Sequence, residues 1–290
     1  MAFQLPGDTA TRPIAVLGAG TLGRRIALMM ATRGAEVRLY ARSAATRDAG
    51  VAYAREQLPA VLARLPGSTA GTIVGVDDLA AALEGAWLVF ESVPEQLELK
   101  KAIFARVDAL AEPDAILASN SSSYSSSEFA SSVREPARLL NTHFLMPPDM
   151  IPVELMSCGR TDPAVIRLLA ELLPGYGLSP YLVRRESMGF IFNRIWAAIK
   201  RETLAVVAEG VATPQEVDAI YTQATGMAHG PCRLMDAVGL DVVLNIEEHY
   251  AEKRTGLPES PRILLRELVA DGRLGAKSGR GLYDDYPPQA

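Results

Sequence analysis

From Pro13 the chain reads as a short apolar run (IAVL), a glycine turn, an apolar-periodic stretch and, after Gly34, a second strand-like run ending VRLYAR. Short apolar runs bounded by turn residues predict buried strands, and apolar positions recurring every three to four residues predict a helix. This opening is therefore a βαβ unit. The rhythm returns in WLVFES (87–92), AILAS (115–119), RLLNTHF (138–144) and PVELM (152–156), with helical patterns such as LELKKAIFARVDALA between several of them. Such alternation predicts a largely parallel, doubly wound sheet. After about Ser187 the strand rhythm stops and long helical patterns take over, from SMGFIFNRIWAAIKRETLAVVAEG to PRILLRELVADG. The expected fold class is α/β: a doubly wound Rossmann-type domain over 1–187, then an all-helical C-terminal domain over 188–290. The serine-rich stretch 119–132 is too short and too close to apolar runs to be a linker.

Composition narrows the function. The 290 residues, 49% of them hydrophobic, suffice for two domains of ordinary size. The net charge is -5 and the 29 basic residues are scattered, so no electrostatic footprint for nucleic acid is present. Cys158 and Cys232 lie far apart without paired spacing, which predicts neither a metal site nor a disulfide framework and fits the cytoplasm. The first residues, MAFQLPGDTATRP, lack a basic-then-apolar pattern, and no apolar run reaches the length of a membrane span. A small molecule is the expected partner, with neither nucleic acid nor membrane.

The glycine turn, GAGTLG, places Gly18, Gly20 and Gly23 around Thr21 and Leu22, in G-x-G-x-x-G spacing between a strand and a helix. Glycines there permit a tight turn, close approach of backbone N–H groups to a pyrophosphate, and packing of helix on sheet. A glycine-rich turn that binds nothing is the alternative, and the strand–turn–helix context favours a dinucleotide. Arg24 and Arg25 follow as either phosphate contacts or solvated helix-face residues. The second strand ends in Ala41, Arg42 and Ser43. An acidic residue at that point would accept hydrogen bonds from the ribose hydroxyls of NAD, whereas a nearby arginine suits the 2′-phosphate of NADP. The cofactor expected is thus NAD or NADP, with NADP favoured. Further along, Glu154 falls inside an apolar strand pattern, where a carboxylate needs a partner. His143, one of three histidines, is the best candidate.

Six motifs in order resemble the L-3-hydroxyacyl-CoA dehydrogenase family: GAGTLG, ESVPEQLELKK, ASNSSS, HFLMPP, GFIFNR and GAKSGRGLYDDY. The resemblance spans nearly the whole chain. It implies that His143 is the catalytic histidine paired with Glu154, and that Ser122 and Asn193 contact the substrate's 3-oxygen. It further implies that Glu95, Lys100 and Asn120 border the cofactor, and that the protein is a homodimer through its helical domain. The implied reaction is oxidation of a 3-hydroxyacyl group, with CoA as the carrier the resemblance implies, to its 3-oxo form. A dehydrogenase of a free 3-hydroxy acid, of the sugar-acid or carnitine kind, and a non-catalytic nucleotide-binding relative are the alternatives. Three departures bear on them. Met146 stands where the family motif has asparagine; the interval from His143 to Glu154 is one residue shorter than usual, so their pairing needs a local adjustment; and the segment after the second strand is short and lysine-free. Arg47, Arg55 and Arg64 remain there as candidate anion contacts.

Overall fold

The computed structural model describes residues 3–286. The chain divides into two compact units, one up to Ile191 and one from Phe192. The first is built on an eight-stranded sheet in the order β3-β2-β1-β4-β5-β6-β7-β8. Its strands are β1 (Ile14–Leu17), β2 (Glu36–Tyr40), β3 (Thr72–Val76), β4 (Leu88–Glu91), β5 (Ile116–Ser119), β6 (Leu139–Met146), β7 (Met150–Ser157) and β8 (Ser179–Val183). Neighbours pair in parallel except for the antiparallel β6–β7 hairpin.

Every residue of β1, β4 and β5 is buried, as central strands covered on both faces require. Alternate residues of β1 face opposite layers: Ile14 and Val16 pack into one apolar cluster, Ala15 and Leu17 into the other. The first layer holds α1 (Thr21–Met30), α2 (Ala44–Leu62) and α5 (Pro163–Leu172), and the second α3 (Leu79–Leu83) and α4 (Leu97–Leu110). Strand order reverses beside β1, with β2 on one side and β4 on the other, so a crevice forms outside their carboxyl ends.

The helical unit contains α6 (Phe192–Ala208), α7 (Pro214–Thr225), α8 (Pro231–Val238), α9 (Leu240–Lys253) and α10 (Ser260–Ala270) around Leu204, Met235, Leu240, Val243 and Leu265. Its last segment is clasped by two buried aspartates. Asp236 accepts the N–H groups of Leu282 and Tyr283 and the Tyr286 hydroxyl, and Asp218 accepts the Tyr283 hydroxyl.

Two features differ from the sequence reading. The edge strands β3 and β8 are additional to the predicted set. The helical pattern starting at Ser187 becomes a helix only at Phe192, because Gly189 (φ 72°) and Phe190 (φ 54°) are both left-handed. Residues 188–191 fold back onto the sheet, which puts the division between units after Ile191 rather than Ser187.

Candidate active site

The three glycines of the turn have three different geometries. Gly18 has φ 109°, and a Cβ there would lie 2.3 Å from the Ser92 carbonyl oxygen. A Cβ on Gly23 would lie 1.7 Å from the Gly18 carbonyl oxygen, so helix and turn meet backbone to backbone. A Cβ on Gly20 would meet nothing within 4 Å. That open side faces a cavity of about 1010 Å³. Helix α1 starts at Thr21 with neither a side-chain cap nor an acidic residue in its first turn, so its leading N–H groups are left to an external acceptor. These features fit the pyrophosphate of a dinucleotide.

Gly18, Gly20, Thr21 and Leu22 line the cavity, as do Ala41 and Arg42 beyond β2, Glu95 and Lys100 from the β4–α4 passage, and Asn120, Ser122 and His143. Gly23 packs behind the turn. Of the arginines left open by the sequence, Arg24 stacks on the Tyr53 ring, and Arg25 donates to the Pro147 carbonyl and pairs with Asp149. Arg47 donates to the Ala41 carbonyl and lies near Asp48 and Asp77, and Arg55 is bound to the Ile73 carbonyl. Arg64 is exposed.

Behind the cavity lies a buried charge network. Glu91, at the end of β4, accepts from the Val93 N–H, from Lys100 Nζ at 2.8 Å and from the Ser119 hydroxyl at 2.6 Å. Lys100 Nζ also lies 3.1 Å from Glu95 Oε2. The other oxygen of Glu95 accepts the Ser121 hydroxyl and the N–H groups of Ser122 and Ser123. Burial opposes ionisation of Glu95, but the Lys100 charge and these donors prevail and hold its carboxyl below the usual range. Glu91 was not singled out from the sequence, although a carboxylate closing a fully apolar strand signals a buried partner.

His143 and Glu154 lie directly opposite each other in the β6–β7 register. The register slips between Phe144 and Met146, a bulge that absorbs the odd spacing of the hairpin and leaves the pair face to face. His143 Nδ1 is 2.7 Å from Glu154 Oε2, and Glu154 Oε1 accepts the Ile191 N–H at 2.7 Å. The Phe190 ring stacks on the imidazole, with centroids 4.9 Å apart. With the carboxylate on Nδ1, the neutral ring keeps its proton there and leaves a lone pair on Nε2. Asn120 Oδ1 accepts the Phe144 N–H, joining the turn after β5 to the strand that carries His143. Asn141, also not singled out from the sequence, accepts the Ser126 N–H and donates to the Tyr124 carbonyl, bracing the serine stretch.

The chain matches the model of the 3-hydroxyacyl-CoA dehydrogenase NAD-binding domain over residues 13–186 and that of the 3-hydroxyacyl-CoA dehydrogenase C-terminal domain over 189–285. It belongs to the 3-hydroxyacyl-CoA dehydrogenase family. It is 35% identical to a 3-hydroxyadipyl-CoA dehydrogenase of Escherichia coli over 93% of this chain, which spans 58% of that relative. A 3-hydroxybutyryl-CoA dehydrogenase of Clostridioides difficile is 31% identical over 93% of this chain and 98% of its own length. A 5-formyl-3-hydroxy-2-methylpyridine 4-carboxylate 5-dehydrogenase of Mesorhizobium japonicum is 29% identical over 96% of this chain and 92% of its own. Among solved structures, the (S)-3-hydroxybutyryl-CoA dehydrogenase of Ralstonia eutropha matches with TM-score 0.83 and 30% identity, over 98% of this chain and all of that one.

As a member of the 3-hydroxyacyl-CoA dehydrogenase family, the protein is an oxidoreductase with a nicotinamide-cofactor domain. Of its resemblance-derived site residues, only Asn193 falls in the helical unit, half-buried in the first turn of α6. Met146, which replaces the family's asparagine, is the last residue of β6 and pairs with Met150 across the hairpin.

Proposed function

We propose that the protein is an NADP-dependent dehydrogenase of a 3-hydroxyacyl substrate, with His143 as the group that accepts the C3 hydroxyl proton. The observation that carries this reading is the His143–Glu154 pair, with His143 at the wall of the cavity onto which the glycine turn opens. Nε2 takes the proton as the alcohol becomes a ketone and returns it in reverse. Glu154 holds the tautomer and stabilises the imidazolium that forms, while the Ile191 N–H fixes the carboxylate. The Ser122 hydroxyl is assigned to the C3 oxygen, where it polarises the ketone. Nicotinamide, when bound, carries the hydride.

Arg42 supports NADP over NAD: Ala41 brings no carboxylate to the adenosine ribose, and among the described residues no acid pairs with Arg42. A 3-hydroxyacyl-CoA is the leading substrate. A free 3-hydroxy acid is the second reading, favoured by the engagement of Arg47 and Arg55 with the protein's own carbonyls, which leaves few cations for a CoA tail. The pyridine carboxylate dehydrogenase relative is consistent with it. The same proposal includes a cytoplasmic homodimer. Exposed Ile195, Val211 and Ile220 in the helical unit support the dimer, and no helix among the described residues is long and apolar enough to cross a membrane.

The test is turnover of purified protein with 3-oxoacyl-CoA esters and free 3-hydroxy acids, each with NADPH or NADH and the corresponding oxidised forms. Turnover with NADP(H) and a CoA ester is expected. Turnover with free acids alone selects the second reading, and cofactor binding without turnover of any substrate overturns both.

A further inference from the structure

Two arginines on the cavity wall, Arg42 and Arg106, have no carboxylate partner among the described residues. We infer that Arg106 shares the 2′-phosphate of NADP with Arg42, an assignment that rests on the NADP reading above. Leu99, Ile103 and Arg106 all line the cavity, and their spacing puts them on one face of α4. Ile103 and Phe104 of that helix belong to the same apolar cluster as Tyr40, the last residue of β2. The end of β2, with Ala41, Arg42 and Ser43 after it, lines the same cavity as this α4 face, and Arg106 lies one turn beyond Ile103.

Charge accounting points the same way. The acid and the amine on the wall, Glu95 and Lys100, are paired with each other, and Lys100 is bound to Glu91 as well. Arg47, also close to the end of β2, is held by the Ala41 carbonyl and by Asp48 and Asp77. Arg42 and Arg106 are left as two uncompensated guanidinium groups, which match a phosphate monoester in charge and in planar donor geometry. Ser43, whose Oγ accepts the Thr46 N–H, keeps its hydroxyl hydrogen to donate at the same place. An arginine that merely stacked on the adenine would serve NAD and NADP equally, so the two roles separate in binding.

Calorimetric titration of the full chain with NADP, NAD, 2′,5′-ADP and 5′-AMP tests the assignment on wild type, Arg42→Ala, Arg106→Ala and Arg106→Lys. Arg106→Ala should weaken NADP and 2′,5′-ADP by about tenfold to a hundredfold, as loss of a charge-assisted hydrogen bond predicts, and leave NAD and 5′-AMP within about twofold. Arg106→Lys should restore part of that loss, and more of it at low salt. Equal weakening of all four ligands would make Arg106 an adenine-stacking residue and overturn the proposal, as would no change in any of them. Wild type that binds NAD at least as tightly as NADP would remove the cofactor reading itself and this assignment with it. A wild-type preference for NADP that survives Arg106→Ala would remove only this assignment.

Discussion

Two buried carboxylates stand in strands of the same sheet, Glu91 at the end of β4 and Glu154 within β7, and their partners differ in kind. Both oxygens of Glu91 are saturated by fixed donors: a backbone N–H, a buried ammonium and a serine hydroxyl. Every donor in that set is committed to a carboxylate, and the network reaches the serine turn through Lys100 and Glu95. Glu154 also spends one oxygen on a backbone N–H, but its other oxygen holds an imidazole whose second nitrogen remains for chemistry. Burial and pairing are alike in the two; the supporting role of Glu91 and the proton transfer proposed beside Glu154 differ in whether the partner keeps a second nitrogen for a proton.

The largest effect should come from the working side. Replacing His143 by Gln is expected to lower turnover roughly 10²- to 10⁴-fold with cofactor affinity unchanged. An unaltered rate would remove His143 from the proton-transfer step. On the supporting side, Lys100→Met leaves Glu91 buried without its counter-ion and should cost about 3–5 kcal/mol of unfolding free energy. Urea denaturation checks this, and a stability near that of wild type would show that Glu91 needs no ammonium.

How far the sequence revealed these two regions follows from how local their causes are. The strands β1, β4 and β5 were legible because burial on both faces makes each a continuous apolar run. The edge strands β3 and β8 were not, since Val74, Tyr181 and Leu182 face solvent and Gly75 and Pro180 interrupt them. The glycine turn was legible because its backbone demands act over six consecutive residues. His143 and Glu154 were legible as a pair because a carboxylate in an apolar strand calls for a partner. The Ile191 N–H that fixes Glu154 lies 37 residues away. It was hidden because SMGFIF has a helical apolar pattern, and the left-handed Gly189 and Phe190 override it. Arg25 was ambiguous for a similar reason: its contacts, the Pro147 carbonyl and Asp149, come from a distant hairpin.

Glu154→Gln sharpens the comparison by keeping the shape of the site and changing only its proton. If the new amide oxygen keeps the Ile191 N–H, its NH₂ group faces Nδ1 and forces the ring proton onto Nε2, where it blocks proton uptake. Turnover should fall on the order of 10²-fold with little loss of stability, measured as kcat beside the unfolding midpoint. A fall in stability without a fall in kcat would make Glu154 a support like Glu91.

The smallest effect belongs to Glu95, which is partly exposed. Its folded carboxyl titrates below the ordinary value of 4.5, so its contribution to stability is complete above that value and is lost as pH falls through the lower, folded one. Glu95→Gln should therefore cost about 1 kcal/mol at neutral pH and nothing at pH values below the folded titration, flattening the acid limb of the stability curve. Because Glu95 holds the Ser121–Ser123 turn rather than a reacting atom, the variant should raise KM more than it lowers kcat. A parallel shift of the whole stability curve, with the acid limb intact, would show that Glu95 acts through packing and not through its charge.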